Sequence, residues 1–351
     1  MTRFWILGLA VASIGAPVLA QSKAKAQNVP EIPYDSVPNY LKLPTGMYLG
    51  EAIGVATNSK GHVFVYSRSA NTRLFEFDQS GKFVREIGEG SYGFEFAHSV
   101  RVDPEDNIWV VDEGTNMVIK FNPAGKIVMV LGHRPEVIAG AVATNPPPPK
   151  PPAQKYTFSR PTDVGWDPQG NIFVSDGYGN NRVVKYDKNG RFLAQAGSET
   201  AGSGQGQFNL PHGLAVDAQG NVYVADRSNN RMEVLDNNLK FKAIYDNIGT
   251  SWTVCVSPGP HQYLFTSNSN PNGNPPGSWD NTGEIYKMEL DGTIIGRFGH
   301  ASKLPGGFQV VHMFDCRNPN EIIVAEIESW RVQKLLLKPS AAKPPSSSAA
   351  R

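Results

Sequence analysis

Three histidines, His98 in "FAHSV", His212 in "LPHGL" and His312 in "VVHMF", recur at one fixed offset. Each stands 14 residues before an acidic residue that closes an alternating apolar run: Asp112 in "IWVVD", Asp226 in "VYVAD" and Glu326 in "IIVAE". Neutral imidazoles suit borderline divalent metals. Three of them around one ion leave a coordination position open, so the ion can polarise an oxygen as a Lewis acid. Zinc is the expected metal, and imidazole also suits other divalent transition metals. The remaining histidines, His62, His133, His261 and His300, lie near turns or strand ends and read as surface residues. Two further residues break local pattern. Arg68 in "VFVYSR" places a cation where the other runs end in an acid or amide. Tyr178 sits between two glycines in "DGYGNNR", a turn one residue longer than its counterpart "DRSNNR". A tyrosine held near a metal and a guanidinium is expected to ionise below its usual value of about 10 and to serve as a base.

The offset has meaning only if the runs are copies of one unit. Aligning Arg68, Asp112, Asp176, Asp226, Asn268 and Glu326 gives six copies spaced 42 to 64 residues apart, the range of a four-stranded propeller blade with insertions. The copies continue into further strands, as in "RLFEFDQSGKFVREIG", with hairpin turns at Gly81, Gly125 and Gly190. Such sheets bury their faces only against one another, so the pattern predicts an all-β, six-bladed β-propeller. Innermost strands line the channel of such a ring. Counting back 14 residues gives Gly54, His98, Thr162, His212, Val254 and His312, so the three imidazoles alternate around the axis and converge on it. The acids and the arginines five or six residues beyond them, Arg73, Arg182, Arg231 and Arg331, read as architecture. The last copy lacks an outer strand, and a segment within residues 36–44 is expected to supply it.

The rest of the chain is bounded by composition. Arg3, an apolar run from Phe4 and the small-residue site Val18-Leu19-Ala20 read as a signal peptide over residues 1–20, which implies a secreted or periplasmic protein. A linker is expected over 21–35, the propeller over 36–338, an exposed proline-rich loop at 145–155 and a disordered tail over 339–351. With 33 basic and 32 acidic residues and no basic run, nucleic acid is not an expected partner, nor is a membrane once the signal is removed. A small-molecule or peptide substrate and a monomer are expected. Two cysteines, Cys255 and Cys316, are too few for a disulfide framework, and a bond between them is not expected.

These residues together resemble peptidyl-α-hydroxyglycine α-amidating lyase (peptidylamidoglycolate lyase) and its NHL-repeat relatives. The stretches that carry the resemblance are "RPTDVGWDPQGNIFVSDGYGNNRVVKY" and "GQFNLPHGLAVDAQGNVYVADRSNNR", with weaker ones at "FAHSVRVDPEDNIWVVDEG", "VFVYSR" and "GGFQVVHMFD". The resemblance covers about residues 50–337 and includes no monooxygenase half. It implies zinc on His98, His212 and His312, a catalytic tyrosine at Tyr178 and active-site arginines at Arg68 and Arg227. The implied reaction cleaves a carbinolamide N–C bond to give a peptide amide and glyoxylate. Tyr178 takes the hydroxyl proton with help from Arg68, and Arg227 binds a substrate carboxylate or carbonyl. The chain departs from the family at Met313, where an aspartate helps to hold a structural calcium, so calcium is not expected. It departs also at Val310, in place of a methionine, and at Gly179, in place of a disulfide cysteine.

Two other readings stand beside the lyase. A non-catalytic NHL propeller would bind a protein or glycan through its rim loops and would carry no stoichiometric metal. A propeller hydrolase or lactonase would hold a hard cation with carboxylate and amide oxygens, a donor set that three imidazoles argue against.

Overall fold

A computed structural model of the protein describes residues 29–134, 152–269 and 283–338. Six four-stranded antiparallel sheets make up the ring, one for each copy of the repeat. Blades 1 to 5 are each one continuous run of chain. Blade 6 takes three strands from Val311–Leu337 and its outermost strand from Tyr34–Val37, which pairs with Arg331–Leu337. The N-terminal segment therefore does complete the last blade, but two residues earlier than expected. Residues 29–35 are not a free linker: the amide of Ile32 donates to the Arg297 carbonyl at 2.7 Å, and Glu31 bridges Arg297. The signal segment, the proline run through residue 151 and the tail after Lys338 fall outside the described residues. What is described of the proline-rich loop is docked on blade 3, where the Gln154 carbonyl accepts from Arg182 at 2.8 Å and the Lys155 carbonyl from Tyr186 at 2.7 Å.

Alternation within each strand sends side chains to both faces of a blade, and each face meets a neighbouring blade. The result is six apolar clusters, one at each seam. Phe64, Tyr66, Val100 and Ile108 fill the seam between blades 1 and 2, while Val63, Phe77, Ile323 and Ala325 fill the closing seam between blades 6 and 1. At the seam between blades 5 and 6 the structure corrects the cysteine reading. Cys255 and Cys316 form a disulfide with a Cα–Cα distance of 6.1 Å. They sit on the inner strands of adjoining blades, and packing of blade 6 against blade 5 brings them together. Among the described residues no helix is long and apolar enough to cross a membrane.

The strand-end acids work as expected, but on the preceding loop as well as their own turn. Asp226 accepts from the amide of Asn209 at 2.7 Å and from Arg231 at 2.7 Å, and buried Asp176 accepts from Ser159 and Arg182. Each acid thus fastens the segment that leads into its inner strand, and so sets the height at which that strand begins.

Candidate metal centre and its surroundings

The inner strands Ala97–Val102, Pro211–Val216 and Val311–Asn318 begin opposite their strand-end acids, with Ala97 paired to Asp112, Pro211 to Asp226 and Val311 to Glu326. Immediately after each pairing the register slips, at His98, at His212 with Gly213, and at His312. Each imidazole therefore stands at a β-bulge, a device that re-aims a side chain out of the pleat, here toward the channel. Their ring centroids lie 4.7, 4.7 and 4.9 Å apart. One ligand nitrogen from each ring falls within 4.8 Å of the others, a spacing that one ion can span with small ring rotations.

The second nitrogen of each ring is committed. His98 Nδ1 lies 2.6 Å from the Thr162 carbonyl, His212 Nδ1 2.7 Å from that of Trp252, and His312 Nδ1 2.7 Å from that of Ile53. A carbonyl can only accept, so Nδ1 carries the hydrogen and Nε2 keeps its lone pair. The site has a threefold logic: even-numbered blades supply imidazoles and odd-numbered blades supply the carbonyls that orient them. Counting along the sequence pointed at Gly54, Thr162 and Val254 for the odd blades. The acceptors are Ile53, Thr162 and Trp252, because bulges in blades 1 and 5 shift the register.

Close approach makes these bonds possible. A Cβ on Gly213 would lie 2.7 Å from the Thr253 Cα and 2.9 Å from the Trp252 carbonyl, so only glycine lets the strand of His212 come this near to blade 5. Burial holds all three imidazoles neutral. His98 and His212 are pushed far below the ordinary histidine value, chiefly by desolvation and then by the neighbouring imidazoles. His312 falls to about 3, from desolvation and then Arg68.

Tyr178 stands beside this cluster. Its hydroxyl lies 3.2 Å from His212 Nε2 and accepts from Arg227 Nη1 at 3.2 Å. The amide of Tyr178 donates to the Arg160 carbonyl and that of Gly179 to the Ser159 carbonyl. A Cβ at residue 179 would meet Ser159 Oγ at 1.9 Å, so backbone contact closes this turn without a disulfide. The expectation of a lowered Tyr178 pKa is for a site that holds a metal, and the protein groups alone act the other way. Burial raises it, and the Arg227 and Arg68 charges oppose that rise.

Arg227 caps the site. Its guanidinium lies 3.7 Å from the Trp252 ring centroid, and burial lowers its pKa. Arg68 is close to His98 but bonds elsewhere, to Glu51 at 2.7 Å and the Ala97 carbonyl at 3.3 Å, over the Phe96 ring. It reaches Tyr178 through its field and makes no hydrogen bond to it. Of the two arginines, Arg227 is the one bonded to the tyrosine.

Three residues escaped the sequence reading. Trp252 contributes a carbonyl and a ring wall, Glu113 is buried, and Arg160 pairs with Glu113 while lying 4.8 Å over the Tyr178 ring. Glu113 and Arg227 both directly follow a strand-end acid, so that position was the signal to follow.

Five buried polar atoms around the site have no protein partner: His98 Nε2, Arg227 Nε, Trp252 Nε1, Ser99 Oγ and Thr253 Oγ1. Unpaired buried donors and acceptors are rare in folded proteins, and several in one place mark a site built for something else. The donor set fits a borderline divalent ion bound by nitrogen. It does not fit calcium. Below the imidazoles lies Met313, and the carboxylate there, Asp163, is fully engaged by Arg101 at 3.0 and 2.6 Å and by the amides of Val164 and Leu214.

Comparison with known proteins places this geometry in context. The NHL repeat family profile matches residues 158–186 and 208–235, the three inner strands of blades 3 and 4. The chain is 31% identical over 225 residues to peptidyl-glycine alpha-amidating monooxygenase of Mus musculus, covering 56% of this chain and 22% of that protein. It is 28% identical over 282 residues to peptidyl-alpha-hydroxyglycine alpha-amidating lyase 1 of Drosophila melanogaster, covering 75% of this chain and 48% of that one. The chain thus spans less than half the length of either amidating relative. NHL repeat-containing protein 3 of Homo sapiens is 27% identical over 366 residues, covering 95% of this chain and 96% of that protein. Among solved structures, a streptogramin B lyase superposes with a TM-score of 0.53 at 15% identity, covering 88% of this chain and 98% of that one, a likeness of fold. The chain is a six-bladed propeller with two segments that match the NHL repeat, and it is similar in sequence to amidating enzymes.

Proposed function

We propose that this NHL-repeat propeller is an exported, zinc-dependent carbon–nitrogen lyase that cleaves the carbinolamide bond of a peptidyl-α-hydroxyglycine, giving an amide and glyoxylate. One observation carries the reading: three Nε2 lone pairs, their Nδ1 hydrogens committed to carbonyls, converge beside a tyrosine hydroxyl that is itself bonded to a buried arginine. The amidating lyase of Drosophila melanogaster among the relatives supports it.

His98, His212 and His312 would hold the metal. When bound, zinc supplies Lewis acidity that makes the substrate hydroxyl more acidic. The Tyr178 oxygen takes the hydroxyl proton. The C–O bond becomes a carbonyl as the C–N bond breaks, the electron pair goes to nitrogen, and nitrogen takes back the proton that the Tyr178 phenolate had accepted, so atoms and charge balance. Arg227 holds Tyr178 in the phenolate form that accepts this proton through its Nη1 contact, and its unpaired Nε remains for a carboxylate or carbonyl of the substrate. Arg68 adds positive field from its place beside His98. Trp252 walls the site and keeps Arg227 desolvated, where its hydrogen bonds are strongest.

The test pairs elemental analysis of purified protein with a glyoxylate-release assay on a hydroxyglycine peptide. About one zinc per chain and stoichiometric glyoxylate and amide support the lyase. Metal without glyoxylate keeps the centre and discards this substrate. Absence of both favours the second reading, a binding propeller, which the end-to-end match to NHL repeat-containing protein 3 supports.

A further inference from the structure

At the opposite mouth of the channel, where the inner strands end, lies a cavity of about 480 Å³. Its floor is an arginine. Arg101 of blade 2 pairs with Asp163 of blade 3 and donates to the Val254 carbonyl of blade 5 at 3.1 Å, so one guanidinium ties three blades together across the channel. The cavity and the imidazole cluster share no lining residue.

Its chemistry is uneven. The walls are largely apolar, with Val102, Trp166, Leu214 and Val216 facing the space. The carboxylates on its lining are already satisfied. Asp315 accepts from the Thr57 amide and hydroxyl and from the Arg317 amide, and Asp217 accepts from Asn221 and Tyr223. The guanidinium donors are not. Arg317 makes one long side-chain hydrogen bond, to the Val102 carbonyl at 3.5 Å, and among the described residues it has no ion-pair partner. Arg101 uses Nε and Nη2, and its Nη1 has no partner among the described residues. A guanidinium presents five N–H donors, so spare positive donors face a pocket whose carboxylates, Asp167 included, already accept from protein donors.

We propose that this pocket is a second ligand site, for a small carboxylate carrying an apolar body. The carboxylate lies between Arg317 and the free edge of Arg101, where charge-assisted bonds form out of bulk water, and the apolar part covers Trp166, Leu214 and Val216. Arg101 is the wrong residue to remove, because Asp163 would be left buried and uncompensated. Arg317 is half-exposed and can be changed without that cost.

The test uses 3-phenylpropanoate and its uncharged amide, 3-phenylpropanamide, titrated calorimetrically into the full chain, the R317Q variant and the pocket-filling variant V216F. Melting curves verify that each variant folds. The expected result is saturable binding of the carboxylate, at least about tenfold weaker binding of the amide, and a loss of tenfold or more for the carboxylate in R317Q. V216F should lose both probes. Absence of carboxylate binding to the wild-type chain overturns the proposal, as does equal affinity in wild type and R317Q, which would put the probe elsewhere.

Discussion

The Tyr178 hydroxyl and His212 Nε2 stand 3.2 Å apart, and the hydrogen between them can belong only to the tyrosine. His212 Nδ1 already donates to the Trp252 carbonyl, so Nε2 is the acceptor, and Arg227 donates to the hydroxyl oxygen from the other side. The phenol therefore points its proton at a lone pair that a metal ion would claim. Occupation of that lone pair withdraws the acceptor for the tyrosine proton and adds a positive charge, and both changes ease ionisation against the burial that raises its pKa. The tyrosine and the metal site are one device.

It follows that His212→Ala should lose metal without losing the fold. The imidazole lies in a buried bulge whose removal leaves two ligands and an unmatched Trp252 carbonyl. Affinity for zinc should fall by about 100-fold or more, as measured by competition with a chromogenic chelator, with the β-sheet circular dichroism unchanged. Retention of wild-type metal content in this variant would remove the imidazole triad from the account.

Tyr178→Phe separates metal binding from proton transfer. The ring contacts with His98 and Arg160 survive and only the hydroxyl is lost. Zinc content should stay near wild type while kcat for glyoxylate release drops by about 10²–10⁴-fold. Unchanged turnover would assign the proton to another group.

Ring, blade count and imidazole convergence were legible because a propeller repeats its register, and a residue type that recurs at a fixed offset must recur at a fixed height. The finer frame was not. A bulge leaves the sequence period intact while moving a carbonyl by one or two residues, which is why Ile53 and Trp252, and not Gly54 and Val254, face the histidines. The Cys255–Cys316 bond was hidden for a related reason. The two residues are 61 positions apart and meet only when blade 6 packs against blade 5, so local spacing carries no trace of the pairing.

That bond should matter to stability. Cross-linking residues 61 apart restricts the unfolded chain by an amount worth about 4 kcal/mol in the loop-entropy picture. The double variant Cys255→Ser/Cys316→Ser should melt lower by on the order of 5–10 °C, and reductant should shift the wild type toward it. A variant that melts with the wild type under oxidising conditions would show that the six apolar seams alone set the stability of the ring.

Glu233 offers a test of pH dependence away from the metal centre. Arg231 serves two buried carboxylates at once, Asp226 at 2.7 Å and Glu233 at 2.7 Å, and one cation cannot neutralise both. Desolvation is the largest cause of the rise in the Glu233 pKa, to about 7, with Asp226 adding to it against the pull of Arg231. The folded protein thus keeps a proton that the unfolded chain releases near the ordinary glutamate value of 4.5. The stabilisation is fully present below that value and is lost as pH rises through about 7. Glu233→Gln has no such proton to lose. Its melting temperature relative to wild type should climb across this window and level off above it. A difference that is flat with pH would place the shared proton elsewhere.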